Sequence, residues 1–273
     1  MAVIQEKINI NAEVLSDSNK KFLFLLHGFT GSSEDWKEVA ENFSKDYSII
    51  AIDLIGHGKS SSPEDPVYYS PDDISAQLFQ IIRSFTVQKA ALLGYSMGGR
   101  AALNFAVRFP GQLSSLIIEG TSAGIRVEKE RSERIIKDYE LADFIEKNSI
   151  EAFVDYWMNL EIFSTQKRFS NTKLKQIRES KILNNNTTGL ANSLRGFSSG
   201  IMPPLYNKLK IIKVPTLLIT GELDSKFTML NEKMLPLFNN AKHVIIKNAG
   251  HNTHLEEPGR FVKSINQFLK VLD

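Results

Sequence analysis

Cysteine is absent from the 273 residues, which excludes disulfides, thiolate nucleophiles and cysteine-ligated zinc. No stretch approaches the roughly 18 uninterrupted apolar residues that a membrane span requires. The opening Met1-Ala2-Val3-Ile4-Gln5-Glu6-Lys7 holds no apolar run long enough for a signal peptide. A cytoplasmic protein without membrane contacts is expected. Charge of one sign is also scarce. The formal net charge of +2 is far below the basic excess of a nucleic-acid binder, so any preference for anions must come from a local cluster of cations. Neither G-x-x-x-x-G-K nor G-x-G-x-x-G occurs, so the P-loop and dinucleotide fingerprints are missing.

What is present is a globular composition, 42% hydrophobic and 23% charged. The length suits one large domain, or a core with an inserted subdomain. Short apolar runs recur: Phe22 to Leu26, Ser48 to Ile52, Ala90 to Leu93, Leu116 to Ile118, Thr216 to Thr220 and His243 to Ile246. They lack alternation, as expected of strands covered on both faces by helices. Between them lie helical patterns such as Asp72 to Phe85, with Ile74, Leu78, Ile81, Ile82 and Phe85 at helical spacing. Strand–helix alternation predicts a doubly wound, mostly parallel sheet.

The alternation stops after Glu119 and resumes at Pro215. Glu128 to Lys147 reads as a charged amphipathic helix, Ile150 to Met158 as an apolar-rich one, and Asn184 to Gly189 as a polar patch. A structureless loop of this length inside a compact domain is improbable. Residues 122–204 are therefore expected to form a helical lid, with 1–121 and 205–273 as the core.

Gly94-Tyr95-Ser96-Met97-Gly98 follows one buried run and opens a helix, the context of a nucleophile elbow. Flanking glycines let the backbone double back, the Ser96 hydroxyl is lifted clear, and the Met97 N–H is left free to bind an oxyanion. Serine needs a base, and the base an acid to orient it. In a parallel sheet these must lie beyond the carboxyl ends of strands. Asp224 follows one late run and His251 another, and the order Ser, Asp, His fits the α/β-hydrolase fold. Glu119 or Glu222 could instead be the acid, and His254 lies three residues beyond His251. Glu119 also reads as a strand-end residue touching the lid, and His254 as a packing residue. His27-Gly28-Phe29 ends the first long run, where this fold places its second oxyanion donor, here the Phe29 N–H. Arg100, one turn along the elbow helix, shares the serine's face. Arg131 and Arg134 share a face in the lid among Glu128, Glu130 and Glu133, which also permits a solvated, salt-bridged surface.

Leu26 to Ser32, Gly94 to Arg100, Gly221 to Phe227 and Ala249 to His254 together resemble the 2-succinyl-6-hydroxy-2,4-cyclohexadiene-1-carboxylate synthase family of menaquinone biosynthesis. The Tyr-Ser-Met-Gly-Gly-Arg and Asp-Ser-Lys-Phe runs, with Glu-Arg-Ser-Glu-Arg in the lid, discriminate most. The resemblance implies a carbon–oxygen lyase that releases pyruvate from a small polycarboxylate with no metal or organic cofactor. It implies that Ser96, activated by His251, acts as a base, with Asp224 orienting the imidazole. It places Tyr95, Arg100, Arg131, Arg134, Trp157, Lys226 and Phe227 at the substrate, and Lys181 where enteric members carry an arginine. The rival reading on the same scaffold is an esterase or carbon–carbon hydrolase. A non-catalytic binding protein is a third, which an intact Ser96, Asp224 and His251 argue against. No nucleic-acid or membrane partner is expected, and a monomer is favoured.

Overall fold

The computed structural model describes residues 8–18 and 20–271; the Met1–Lys7 run considered for a signal peptide lies outside them. Seven strands form one sheet: β1 (Ala12–Ser16), β2 (Lys21–Leu26), β3 (Tyr47–Ile52), β4 (Ala90–Tyr95), β5 (Leu113–Glu119), β6 (Thr216–Gly221) and β7 (Ala241–Ile246), ordered β1-β3-β2-β4-β5-β6-β7. All neighbours pair in parallel except β1, which runs antiparallel to β3. The apolar runs match β2 to β7. β1 carried no such signal: Ala12-Glu13-Val14-Leu15-Ser16 is a half-exposed edge strand.

Continuous burial explains the missing alternation. On β2, Phe24 and Leu26 enter one apolar cluster while Leu23 and Leu25 enter another on the opposite face. Helices α2 (Pro71–Phe85) and α3 (Met97–Arg108) cover the first face, and α1 (Lys37–Ala40) and α10 (Pro258–Lys270) the second. Each fully buried Leu, Ile or Phe side chain contributes about 1.5–3 kcal/mol. The exception is β7, expected to be covered on both faces. It is an edge strand on which Ile246 alone is fully buried and Ile245 is exposed.

Between β5 and β6 lie α4 (Glu128–Lys147), α5 (Ile150–Met158), α6 (Asn171–Leu183) and α7 (Thr187–Phe197). Their own core gathers Ala142, Ile145, Phe153, Val154, Leu190 and Ala191, and Phe29 packs against it. α4 is a helix as expected, yet its apolar residues do not segregate to one face: Ile136 and Tyr139 point to solvent while Asp138 is buried. The polar patch caps a helix, with the Asn186 side chain accepting from the Gly189 N–H. After β6 come α8 (Ser225–Met234) and, after β7, α9 (Thr253–Glu256). No helix among the described residues is long and apolar enough to cross a membrane.

Candidate active site

Ser96 stands between β4 and α3 at φ +50°, ψ −104°, a strained conformation for a residue other than glycine. Its neighbours make the turn possible. A Cβ on Gly94 would lie 2.2 Å from the Gly98 carbonyl oxygen, and one on Gly98 would lie 2.4 Å from that of Leu26. Only glycine fits where backbone meets backbone so closely.

His251 follows β7 and is 3% exposed. Its Nδ1 donates to Asp224 Oδ2 at 2.7 Å, and its Nε2 faces Ser96 Oγ at 3.1 Å. With the ring proton on Nδ1, Nε2 accepts from the serine hydroxyl. Asp224 is also the N-cap of α8, its Oδ1 accepting from the Phe227 N–H at 3.3 Å. Rings of Phe227 and Tyr95 flank the imidazole at 4.5 and 5.4 Å between centroids. Burial raises the Tyr95 hydroxyl well above its ordinary pKa, so it is a neutral phenol here.

The competing acids and base are engaged elsewhere. Glu119 is fully buried, and its Oε1 accepts from the Thr253 N–H, the Thr253 hydroxyl and the His254 N–H at 2.7–3.0 Å. Its Oε2 accepts a hydrogen bond from His254 Nδ1 at 2.7 Å. The Glu119 carboxylate thus contacts α9, where contact with the inserted helices was expected. Its backbone carbonyl meanwhile accepts from the Ser96 N–H at 2.8 Å. His254 stacks on Trp36 at 4.3 Å, a packing position. Glu222 accepts from the Asn248 N–H.

A cavity of about 1020 Å³ opens onto Ser96 and His251, walled by Phe29, Tyr95, Arg100 and Trp157. Among the described residues, neither the Phe29 nor the Met97 N–H has a protein acceptor, so both remain available at the strand-end crevice. Arg100 is the cation nearest the elbow in sequence. Its Nη2 donates to the Phe197 carbonyl oxygen at 3.1 Å, its Nε is buried without a partner, and its guanidinium lies over the Phe197 ring. Burial, aided by the nearby Arg134 charge, lowers its pKa to about 10.

The remaining cations have different fates. Arg134 lines the cavity, but its Nε donates to both oxygens of Asp138 at 2.7 and 2.8 Å. The partner is thus Asp138, one turn on, and none of the three glutamates expected. Arg131 pairs with Glu128 at 3.2 Å and is not part of the cavity wall. Lys181 also stays out of this cavity. It lines a smaller one of about 190 Å³ and donates to Thr30 Oγ1 at 3.0 Å, so it cannot stand in for a carboxylate fork. Lys226 and Phe227 line the main cavity, and Trp157 serves as both wall and packing, edge-on to Phe29 at 5.0 Å. Arg126, Lys137 and Lys233 also line it, unnoticed in the sequence. Arg126, in the loop just past the carboxyl end of β5, carried the one usable signal.

The family model of the alpha/beta hydrolase fold matches residues 21–258. The 2-succinyl-6-hydroxy-2,4-cyclohexadiene-1-carboxylate synthase of Escherichia fergusonii is 31% identical over 249 residues, 91% of this chain and 94% of that protein. A Bacillus subtilis (strain 168) protein that carries the same name provisionally is 41% identical over 244 residues, 89% of this chain and 88% of its own. The solved structure of MenH from S. aureus superposes with a TM-score of 0.91 at 35% identity, covering 96% of this chain and 98% of that one. The elbow, the strand-end residues and this similarity agree: the chain belongs to the 2-succinyl-6-hydroxy-2,4-cyclohexadiene-1-carboxylate synthase family of the α/β-hydrolase superfamily.

Proposed function

We propose that the protein is a carbon–oxygen lyase of menaquinone biosynthesis. Its substrate would be 2-succinyl-5-enolpyruvyl-6-hydroxy-3-cyclohexene-1-carboxylate, from which it eliminates pyruvate. The observation that carries this reading is Arg100. A half-buried guanidinium with a buried, unpartnered Nε and no carboxylate hydrogen-bonded to it, in the cavity that opens onto Ser96, calls for an anionic ligand. A simple ester would leave it unmatched.

The bond changes follow from substrate and product. A 3-ene becomes a 2,4-diene and the C5 oxygen substituent leaves, so the proton lost is the one on C2, beside the succinyl ketone. Ser96 Oγ takes that proton as its own passes to His251 Nε2. The C2 electrons form C2=C3, the old double bond shifts to C4=C5, and the C5–O bond breaks. The departing enolpyruvate gains a proton, returned from His251, and tautomerises to pyruvate. Asp224 holds the imidazole with Nε2 free to accept and stabilises the imidazolium. The Phe29 and Met97 N–H groups receive the charge that develops on the ketone oxygen. Arg100 binds a carboxylate, Tyr95, Trp157 and Phe227 form the walls, and Lys226 and the Asp138-paired Arg134 sit at the cavity margin.

On this reading residues 122–204 are a lid over a core of 1–121 and 205–273, and the protein works as a cytoplasmic monomer on a free small substrate. The test supplies the enolpyruvyl precursor and follows pyruvate release, with p-nitrophenyl acetate hydrolysis in parallel. Pyruvate release that vanishes in Ser96→Ala is the expected result. Efficient ester turnover without pyruvate would overturn the lyase in favour of an esterase.

A further inference from the structure

The turn that carries the Phe29 N–H is held in an unusual way. The Gly31 N–H closes it onto the Gly28 carbonyl at 3.0 Å, and Thr30 occupies its third position at φ +65°. That position of a type II turn favours glycine or asparagine. A β-branched residue there is strained unless its surroundings hold it.

What holds Thr30 comes from the lid. Lys181, on α6, donates from Nζ to Thr30 Oγ1 at 3.0 Å, with the Thr30 carbonyl oxygen at 3.5 Å. Asn185, just past α6, donates from Nδ2 to the same carbonyl at 3.0 Å and to the Lys181 carbonyl at 2.8 Å. The Lys181 side chain is half-buried, and the loss of solvent around its ammonium lowers its pKa; among the described residues no carboxylate lies within ion-pair distance of it. Its hydrogen-bond partners here are the hydroxyl and the carbonyl of one strained residue, with the Asp35 carboxylate acting on it from farther off. The Asn185 backbone also bridges to His57, whose ring meets the edge of Phe29 at 5.7 Å.

We propose that Lys181 and Asn185 are positioning residues. With the lid seated, they pin Thr30 in the left-handed turn and so aim the Phe29 N–H at the oxygen that becomes negative. The inference rests on Phe29 being an oxyanion donor, as in the proposed function.

The test is a double-mutant cycle read in both the pyruvate and the ester assays, which share the oxyanion donors. Lys181→Ala should lower kcat about tenfold in each, with KM within about twofold, because a displaced donor weakens the transition state more than the ground state. In the Thr30→Gly background, where the chain adopts the turn unaided, the same substitution should lower kcat less than about threefold. Amide exchange over residues 29–31 should quicken in Lys181→Ala, and less so when Thr30→Gly is also present. An equal kcat loss in both backgrounds, a loss confined to KM, or unchanged exchange would each overturn the inference. Thermal unfolding of each variant separates these effects from misfolding, since exchange then rises throughout the chain and not at the turn alone. If the wild type hydrolyses the ester but releases no pyruvate, the proposed function fails, while the cycle is still read on the ester and on exchange.

Discussion

Three arginines that look alike in the sequence end in three different electrostatic situations. Arg131 finds Glu128 at i−3, Arg134 finds Asp138 at i+4, and Arg100 finds only a backbone carbonyl and the face of Phe197. The Arg134–Asp138 spacing is readable, since residues four apart meet on a helix, although three glutamates nearby offer competing partners. The isolation of Arg100 was not readable, because it depends on Phe197, 97 residues away. Arg100→Ala should therefore lower kcat/KM by about 10–150-fold, equivalent to roughly 1.5–3 kcal/mol of transition-state binding. Arg131→Ala should leave it within about twofold. Steady-state kinetics on the enolpyruvyl substrate decide the matter, and an unchanged Arg100→Ala would return that side chain to packing.

Helices α3 and α8 begin on Ser96 and Asp224, but of the two only α8 is capped by the side chain of the residue it begins on. Asp224 caps the helix through Oδ1 and holds His251 through Oδ2. Asparagine caps as well as aspartate, and alanine does not. Asp224→Asn should therefore keep the wild-type melting temperature while kcat falls by roughly two to four orders of magnitude. Asp224→Ala should lose the rate and also about 1 kcal/mol of stability. Calorimetry and kinetics on the pair test both halves; equal melting temperatures for the two variants would remove the cap. The strand ends beside these residues were legible because the buried runs of β2 to β6 are continuous and each ends at a polar residue or glycine. β1 was not, since an edge strand with one exposed face gives a five-residue segment no distinctive pattern. β7 was legible as a strand but not as an edge, because its burial depends on what lies beyond it.

At the scale of the whole molecule, core and inserted helices meet through long-range contacts that no local pattern reveals. Lys181 on Thr30 and Asn192 on the Pro63 carbonyl are examples, so the existence of the inserted helices could be read but not their seating. Buried imidazoles tie the stability of the assembled fold to pH. His57 is fully enclosed beside His27, and burial lowers its pKa to about 3. Its folded value lies below the unfolded value of about 6.5. The unfolded chain therefore binds a proton that the native state refuses, and stability falls as pH drops below about 6.5. The slope is about 1.4 kcal/mol per pH unit for this one group. Between pH of about 6.5 and 5, wild-type unfolding free energy from urea titration should drop by about 2 kcal/mol more than that of His57→Gln. Parallel curves would mean that His57 takes up its proton without unfolding.

Glu119 ties these scales together. Its carbonyl holds the amide of Ser96, and its carboxylate holds the start of α9, two residues after His251. The 3.1 Å spacing between Ser96 Oγ and His251 Nε2 is thus gauged in part by the covalent frame of a single residue. The inserted segment reaches both places: Arg168 donates to the Asn248 carbonyl and to Glu256 on either side of His251, and Lys181 and Asn185 fasten the turn of Phe29 and Thr30. On the proposed mechanism, one inserted segment therefore braces both the group that takes the proton and the turn that takes the charge.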